Sequence, residues 1–228
     1  FPVFAVVFVQ TPSPPDLAAF DASAYFPISD GGLQNDAPAD ELPDVEFGTG
    51  SMTALQFLRQ LHAIVEPRFY LEIGVCDGWS LHRASCPAIG IDPLPNEFAT
   101  KPDHTIHRSL STDFFADDAR VGELGPLDLV YIDGMHLIEN AYEDFVNVEH
   151  HDHRWSVLLV DDIFANHPMQ ARRARSARRW SGDVWGIVDV LRSARPDLVV
   201  LPVDTSPTGT LVVLGANPED RTLWEAFD

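Results

Sequence analysis

The chain has 228 residues, 45% of them apolar and 22% charged, which suits one domain with a sizeable core and an appended arm. Thirty-five acidic residues against fifteen basic ones give a formal net charge of -20. Such a surface repels nucleic acid and anionic membranes, so neither is expected as a partner. No apolar run reaches membrane-spanning length, and Cys76 and Cys86 form no metal-finger pattern, so reduced thiols in a cytoplasmic protein are expected.

Residues 1–45 differ from the rest. They hold seven of the eighteen prolines, and no Lys or Arg precedes Arg59. The opening "FPVFAVVFV" has neither a basic leader nor a small-residue cleavage site, so it reads as a buried or docking segment rather than a signal peptide. "QTPSPPD" and "SDGGLQNDAPADELPD" read as extended or loop segments. Phe20, Tyr25 and Phe26 give this arm something to bury, so it is expected to dock as a lid or as an oligomer contact. The remaining 46–228 form the second, catalytic unit.

From Ser51 the pattern changes. "SMTALQFLRQLHAIVEP" carries apolar Leu55, Leu58, Ile64 and Val65 at helical spacing and stops at a proline. Seven short apolar or β-branched runs follow: "FYLEIGV", "AIGID", "TIHRSL", "LDLVYID", "SVLLVDD", "DLVVLPV" and "TLVVLGA". Helical stretches such as "LIENAYEDFVNVE" and "DVWGIVDVLRSA" separate several of them. This alternation predicts an α/β fold, a doubly wound and mostly parallel sheet. The last two runs are joined by "DTSPTG", too short for a helical crossover, so they are expected to form an antiparallel hairpin.

In such sheets ligands bind at the carboxyl ends of the strands. "YLEIGVCDGWSLHRASCPAIGIDPLP" places Gly74 and Gly78 after the first strand and Asp92 at the end of the second. Glycine lets the backbone approach a ligand closely, and a carboxylate at Asp92 can accept both hydroxyls of a ribose. The loop is E-x-G-x-x-x-G-x-S rather than G-x-G-x-x-G, and Glu72 precedes it. That acid would repel a pyrophosphate and attract an aminoacid ammonium, which favours S-adenosylmethionine over a dinucleotide.

"LEIGVCDGWS" followed by "AIGIDP" resembles the first two motifs of class I S-adenosylmethionine-dependent methyltransferases. The resemblance runs from about Thr49 to Leu223 and is densest over 70–92 and 128–162. It implies cofactor contacts from Glu72, Gly74, Gly78, Ser80 and Asp92, with Ser111 and Asp113 of "SLSTDFF" beside the adenine and Asp133 also lining the site. Between Gly78 and Ala88 there is little room for the helix that usually follows the first strand.

A second constellation lies further on. "LDLVYIDGMH" ends a strand at Asp133, and "SVLLVDDIF" ends the next at Asp161 and Asp162. Three crowded carboxylates repel one another, and a divalent cation, Mg²⁺ first, relieves that. The bland reading has one aspartate capping a turn and the others solvated. The pattern is similar to that of metal-dependent O-methyltransferases of the catechol and macrolide-sugar types, which implies Asp133, Asp161 and Asp162 as metal ligands. His136 is then the expected catalytic base, with Asp133 as its rival.

"ARRARSARRW" puts five arginines within Arg172–Arg179. It reads either as a helix pairing with the chain's own acids or as a recognition segment for an anionic substrate. The resemblance places this segment beside the acceptor pocket, with His167, Arg173 and Trp180 as contacts. "EHHDHRW" reads as a solvated helix end. The expected function is methyl transfer from S-adenosylmethionine to a hydroxyl of a small sugar or natural product. A nucleotide-dependent oxidoreductase and a non-catalytic assembly protein are the alternatives, and the arm is the expected route to a homo-oligomer.

Overall fold

The computed structural model describes residues 50–175 and 180–227. The expectations for the arm, its opening apolar segment and its oligomer role lie outside the described residues.

The first helix, α1 (Ala54–Val65), starts at Thr53, whose hydroxyl accepts from Gln56 N–H while the Gln56 side chain accepts from Thr53 N–H. This reciprocal cap fixes the start at Thr53, two residues after Ser51. Seven strands follow: β1 (Tyr70–Ile73), β2 (Ala88–Ile91), β3 (His104–His107), β4 (Leu129–Ile132), β5 (Val157–Asp161), β6 (Val199–Val203) and β7 (Thr210–Leu214). They form one sheet in the order β3-β2-β1-β4-β5-β7-β6. All neighbours are parallel except those of β7, which runs antiparallel to both β5 and β6. The expected hairpin therefore forms, and β7 inserts between β5 and β6.

Side chains alternate across the sheet, and both faces are buried. Leu71, Ile73, Val130, Ile132, Leu158 and Val160 face one core, with Phe145 and Val148 of α4 (Ile138–His151) and Ile187 and Leu191 of α5 (Ile187–Ala194). Tyr70, Leu129, Tyr131 and Leu159 face the other, with Leu58 of α1 and Leu81. The link between β1 and β2 holds only a single 3₁₀ turn, Leu81–Arg83, as its length requires. Two short helices, α2 (Ser111–Phe115) and α3 (Asp118–Val121), connect β3 to β4, and α6 (Thr222–Phe227) ends the described chain.

Strand order reverses between β1 and β4, the place where a doubly wound sheet opens a crevice at its carboxyl edge. The loops after β1, β2, β4, β5 and β6 all gather there. "EHHDHRW" is not simply a solvated helix end. Glu149 and Asp152 are buried, and Glu149 accepts from the Arg195 guanidinium at 2.7 Å.

Candidate active site

The β1 loop is built on close backbone contact. Asp133 N–H donates to Ile73 C=O at 2.8 Å, continuing the β1–β4 ladder past the paired Ile73 and Ile132. A Cβ on Gly74 would lie 1.8 Å from the Asp133 carbonyl oxygen, and Gly74 has φ +87°. Gly78 leaves room for the Phe98 ring, which would sit 2.4 Å from its Cβ. In this structure the two glycines thus make space for neighbouring loops rather than for an open ligand surface.

Asp92 follows β2 and closes the glycine loop. Its Oδ2 accepts from Val75 N–H at 2.9 Å and Cys76 N–H at 2.8 Å, and its Oδ1 accepts from Leu94 N–H at 2.8 Å. The amides that would cradle a pyrophosphate are therefore already bound to a carboxylate. Oδ2 is thereby saturated, and Oδ1 keeps one acceptor site for a hydroxyl. A cavity of about 370 Å³ opens beside this loop, lined by Pro95, Asn96, Glu97, Phe98, Ile106 and Arg108 among others.

Glu72 is 0% exposed. Strand alternation puts it on the face of Tyr70, under the 3₁₀ turn, where Tyr70 donates its hydroxyl at 2.7 Å and Ser80 at 2.6 Å. Burial pushes its carboxyl up to about 8, against the pull of those two hydroxyls. Glu72 and Ser80 thus bind each other behind the loop. Ser111 hydrogen-bonds the buried Asp144 carboxylate, and Asp113 is exposed on the first turn of α2.

The β4 and β5 ends form the charged centre. His136 Nδ1 lies 3.0 Å from Asp162 Oδ2 and 2.5 Å from Trp180 C=O, and its Nε2 lies 3.5 Å from Asp133 Oδ1. Ligand atoms of Asp133, His136 and Asp162 all lie within 4.8 Å of one another. Asp162 reaches this cluster because its backbone turns into the left-handed region, φ 66°. Asp161 is not in that set. Its Oδ1 accepts from the Thr210 hydroxyl at 2.8 Å, and the Tyr131 hydroxyl also bonds its carboxylate. Thr210 has one hydrogen and gives it to Asp161, so Thr205, 2.7 Å away, donates to Thr210.

Charge does not balance here. Burial and the charge of Asp162 raise Asp161 to about 7. Burial also raises Asp133 to about 6, with Asp161 adding to the rise and His136 opposing it. Burial and the Asp133 charge likewise take Asp162 to about 6. Burial works against charging His136, but the Asp133 hydrogen bond and the two carboxylates prevail and raise it to about 9. At neutral pH the ring is therefore an imidazolium held among oxygens. The pocket lined by Asp133, His136, Asp161, Asp162 and Val184 measures about 10 Å³, room for a single water-sized occupant. Two convergent carboxylates with excess negative charge fit a hard divalent cation in that space.

The loop after β5 covers the cluster from one side. Trp180 stacks on His136 with ring centroids 5.3 Å apart, and its indole N–H donates to Arg172 C=O at 2.5 Å. Ser181 and Gly182 N–H both donate to Gln170 C=O. Arg173 does not face an open pocket. It binds Glu139 at 3.0 Å and Asp183 at 2.5 Å, and Asp183 Oδ1 accepts from Ile138 N–H at the start of α4. His167 closes a turn, its Nδ1 accepting from Met169 N–H. The described part of the arginine stretch, up to Arg175, forms turns and bends rather than a helix. Asp144, Thr210 and Asp183 escaped sequence reasoning because they have partners distant in the chain and no local motif marks them; the Tyr70 hydroxyl escaped it although Glu72 is only two residues away.

No protein-family model matches the chain, and no curated protein sequence does. Among solved structures, it is similar to cofactor-bound Rv0187 from MTB, with 20% identity and TM-score 0.54 over 91% of this chain and 100% of that one. It is similar to the O-methyltransferase TomG from Streptomyces achromogenes, involved in tomaymycin synthesis and solved with SAM, with 17% identity and TM-score 0.51 over 77% and 84%. It is also similar to MycE from the mycinamycin pathway, solved with Mg, SAH and mycinamycin VI, with 16% identity and TM-score 0.54 over 75% of this chain and 52% of that one. The sheet order, the crevice and these likenesses agree: the chain has the class I methyltransferase fold, that of S-adenosylmethionine-dependent O-methyltransferases.

Proposed function

We propose that the chain transfers the methyl group of S-adenosylmethionine to a hydroxyl of a small sugar or natural-product acceptor, with a divalent cation, Mg²⁺ first, at the β4–β5 strand ends. The observation that carries this reading is the convergence of Asp133, His136 and Asp162 at the carboxyl edge of this fold. When bound, the cofactor supplies an electrophilic methyl carbon on a sulfonium, and the cation makes an acceptor hydroxyl more acidic. Asp92 accepts one ribose hydroxyl at Oδ1 while its Oδ2 holds the glycine loop closed. Asp133 and Asp162 supply the cation's ligands, and Asp161, locked by Thr210, adds negative charge behind them. His136 takes the acceptor's proton at whichever ring nitrogen faces it. Carboxylates shared with a cation stabilise the imidazolium less, so His136 becomes a free base at lower pH than about 9. Trp180 fixes the ring plane by stacking.

The oxidoreductase reading loses support because Asp92 already occupies the Val75 and Cys76 amides. The test is methyl transfer followed by mass spectrometry on a panel of vicinal diols, catechols and sugars, for the wild type and Asp162→Ala. Turnover that needs a divalent cation and falls about 10²–10⁴-fold in the variant is the expected result. Equal turnover by the variant would overturn the cation's role.

A further inference from the structure

The loop "DTSPTG" between β6 and β7 does more than close a hairpin. Pro207 at its tip is exposed, yet Thr205, Thr208 and the following Thr210 are 1%, 5% and 1% exposed. Hydroxyls buried this deeply need partners inside the chain. Thr205 donates to Thr210, and Thr210 donates to Asp161 Oδ1 at 2.8 Å. The Thr208 hydroxyl bonds the Asp162 carboxylate. The loop is itself anchored from two sides. Ser206 N–H donates to Met52 C=O at 2.8 Å, and Ser206 C=O accepts from Ala54 N–H at 3.0 Å, at the start of α1. Behind β5, Ile163 N–H and Phe164 N–H donate to Gly209 C=O and Thr208 C=O. Gly209 has φ +71°, and a Cβ there would lie 2.3 Å from the Phe164 ring. An anchored backbone therefore sets where the three hydroxyls stand.

We propose that Thr208 and Thr210 are positioning residues that choose between two adjacent acids: Thr208 aims Asp162 at the cation, and Thr210, steadied by Thr205, holds Asp161 away from it. The proposal rests on the reading that places a cation at the β4–β5 strand ends. Asp161 and Asp162 are neighbours of like charge, and nothing in their own chemistry decides which one joins Asp133 and His136. Asp162 also needs outside support, because its backbone sits in the left-handed region at φ 66°, which a residue other than glycine keeps only where its surroundings fix it. One donated hydrogen bond from Thr208 sets the Asp162 carboxylate and leaves further lone pairs for a cation. Thr210 and the Tyr131 hydroxyl take up Asp161 instead.

The test is Mn²⁺ binding to the full chain, followed by the paramagnetic resonance signal of free Mn²⁺. It is run on the wild type, Thr208→Val, Thr208→Ser and Thr210→Val, with S-adenosylhomocysteine affinity measured in the same preparations. Valine keeps the branched shape of threonine and drops the hydroxyl, whereas serine keeps the hydroxyl. The expected result is Mn²⁺ binding at least about tenfold weaker in T208V and close to wild type in T208S, with S-adenosylhomocysteine affinity unchanged in both. T210V frees Asp161 to turn inwards, so it should bind Mn²⁺ at least as tightly as the wild type. Wild-type affinity in T208V overturns the proposal and leaves the cation in place. Equal weakening in T208S, or in T210V, traces the loss to packing of the hairpin and overturns it too. No Mn²⁺ binding by the wild type would instead sink the cation reading, and this proposal with it.

Discussion

Two buried charge clusters in this molecule are built in opposite ways. Behind the sheet, Arg195 is 1% exposed and donates to Glu149 at 2.7 Å and to Asp197 at 2.8–2.9 Å, with Asp220 3.5 Å away. Asn217 N–H adds a further donor to Glu149. Every charge there has a partner, and the guanidinium is held charged at any accessible pH. At the β4–β5 ends, Asp133 and Asp162 share one imidazole with Asp161 close behind, and all three carboxyls stand above the usual carboxylate range. The first cluster is complete in the folded chain. The second has room and charge for one more cation, which is how a structural ion network differs from a site.

Breaking the complete cluster should cost most. Arg195→Met leaves Glu149 buried without its cation, so a loss of about 3–5 kcal/mol in denaturant unfolding is expected. The residual folded fraction should keep its S-adenosylmethionine affinity. A loss below about 1 kcal/mol would mean the network is solvated in practice.

The incomplete cluster should respond in the other direction. Asp162→Asn removes one of the crowding carboxyls, so without added metal its melting temperature should equal or exceed that of the wild type. Saturating Mg²⁺ or Mn²⁺ should stabilise the wild type by about 2.7 kcal/mol at a hundredfold excess over Kd, and the variant far less. Equal stabilisation of both proteins would place the cation elsewhere.

Glu72 sharpens the comparison through pH. Its folded pKa of about 8 lies above the ordinary 4.5, so between those values the folded chain holds a proton that the unfolded chain has released. Stability from this group is therefore full below pH 4.5 and falls as pH rises to about 8, by up to about 1.4 kcal/mol per unit. Glu72→Gln should flatten that slope, read as the difference between the two melting curves at pH 5, 6.5 and 8. Parallel curves would show that Glu72 is ionised in the folded protein.

Much of the fold was legible because strand and helix periodicity are local. All seven apolar runs became strands, and the short "DTSPTG" link forced the hairpin. The sheet order was not legible, since β7 inserts between β5 and β6 through pairings that no local pattern encodes. At the site, the sequence could place Asp133 and Asp161 at strand ends but not the directions of their side chains. Asp161 turns to Thr210, forty-nine residues away, and Glu72 turns behind the loop to Tyr70 and Ser80. Arg173 looked like a substrate contact because its acids, Glu139 and Asp183, carry no mark of pairing in the sequence.

The most direct test of the central claim is calorimetric titration of the purified chain with S-adenosylmethionine, S-adenosylhomocysteine and NAD, each with Mg²⁺ and with chelator. Micromolar binding of the first two and none of NAD is the predicted result. NAD binding alone, or no binding of either adenosyl compound, would contradict it.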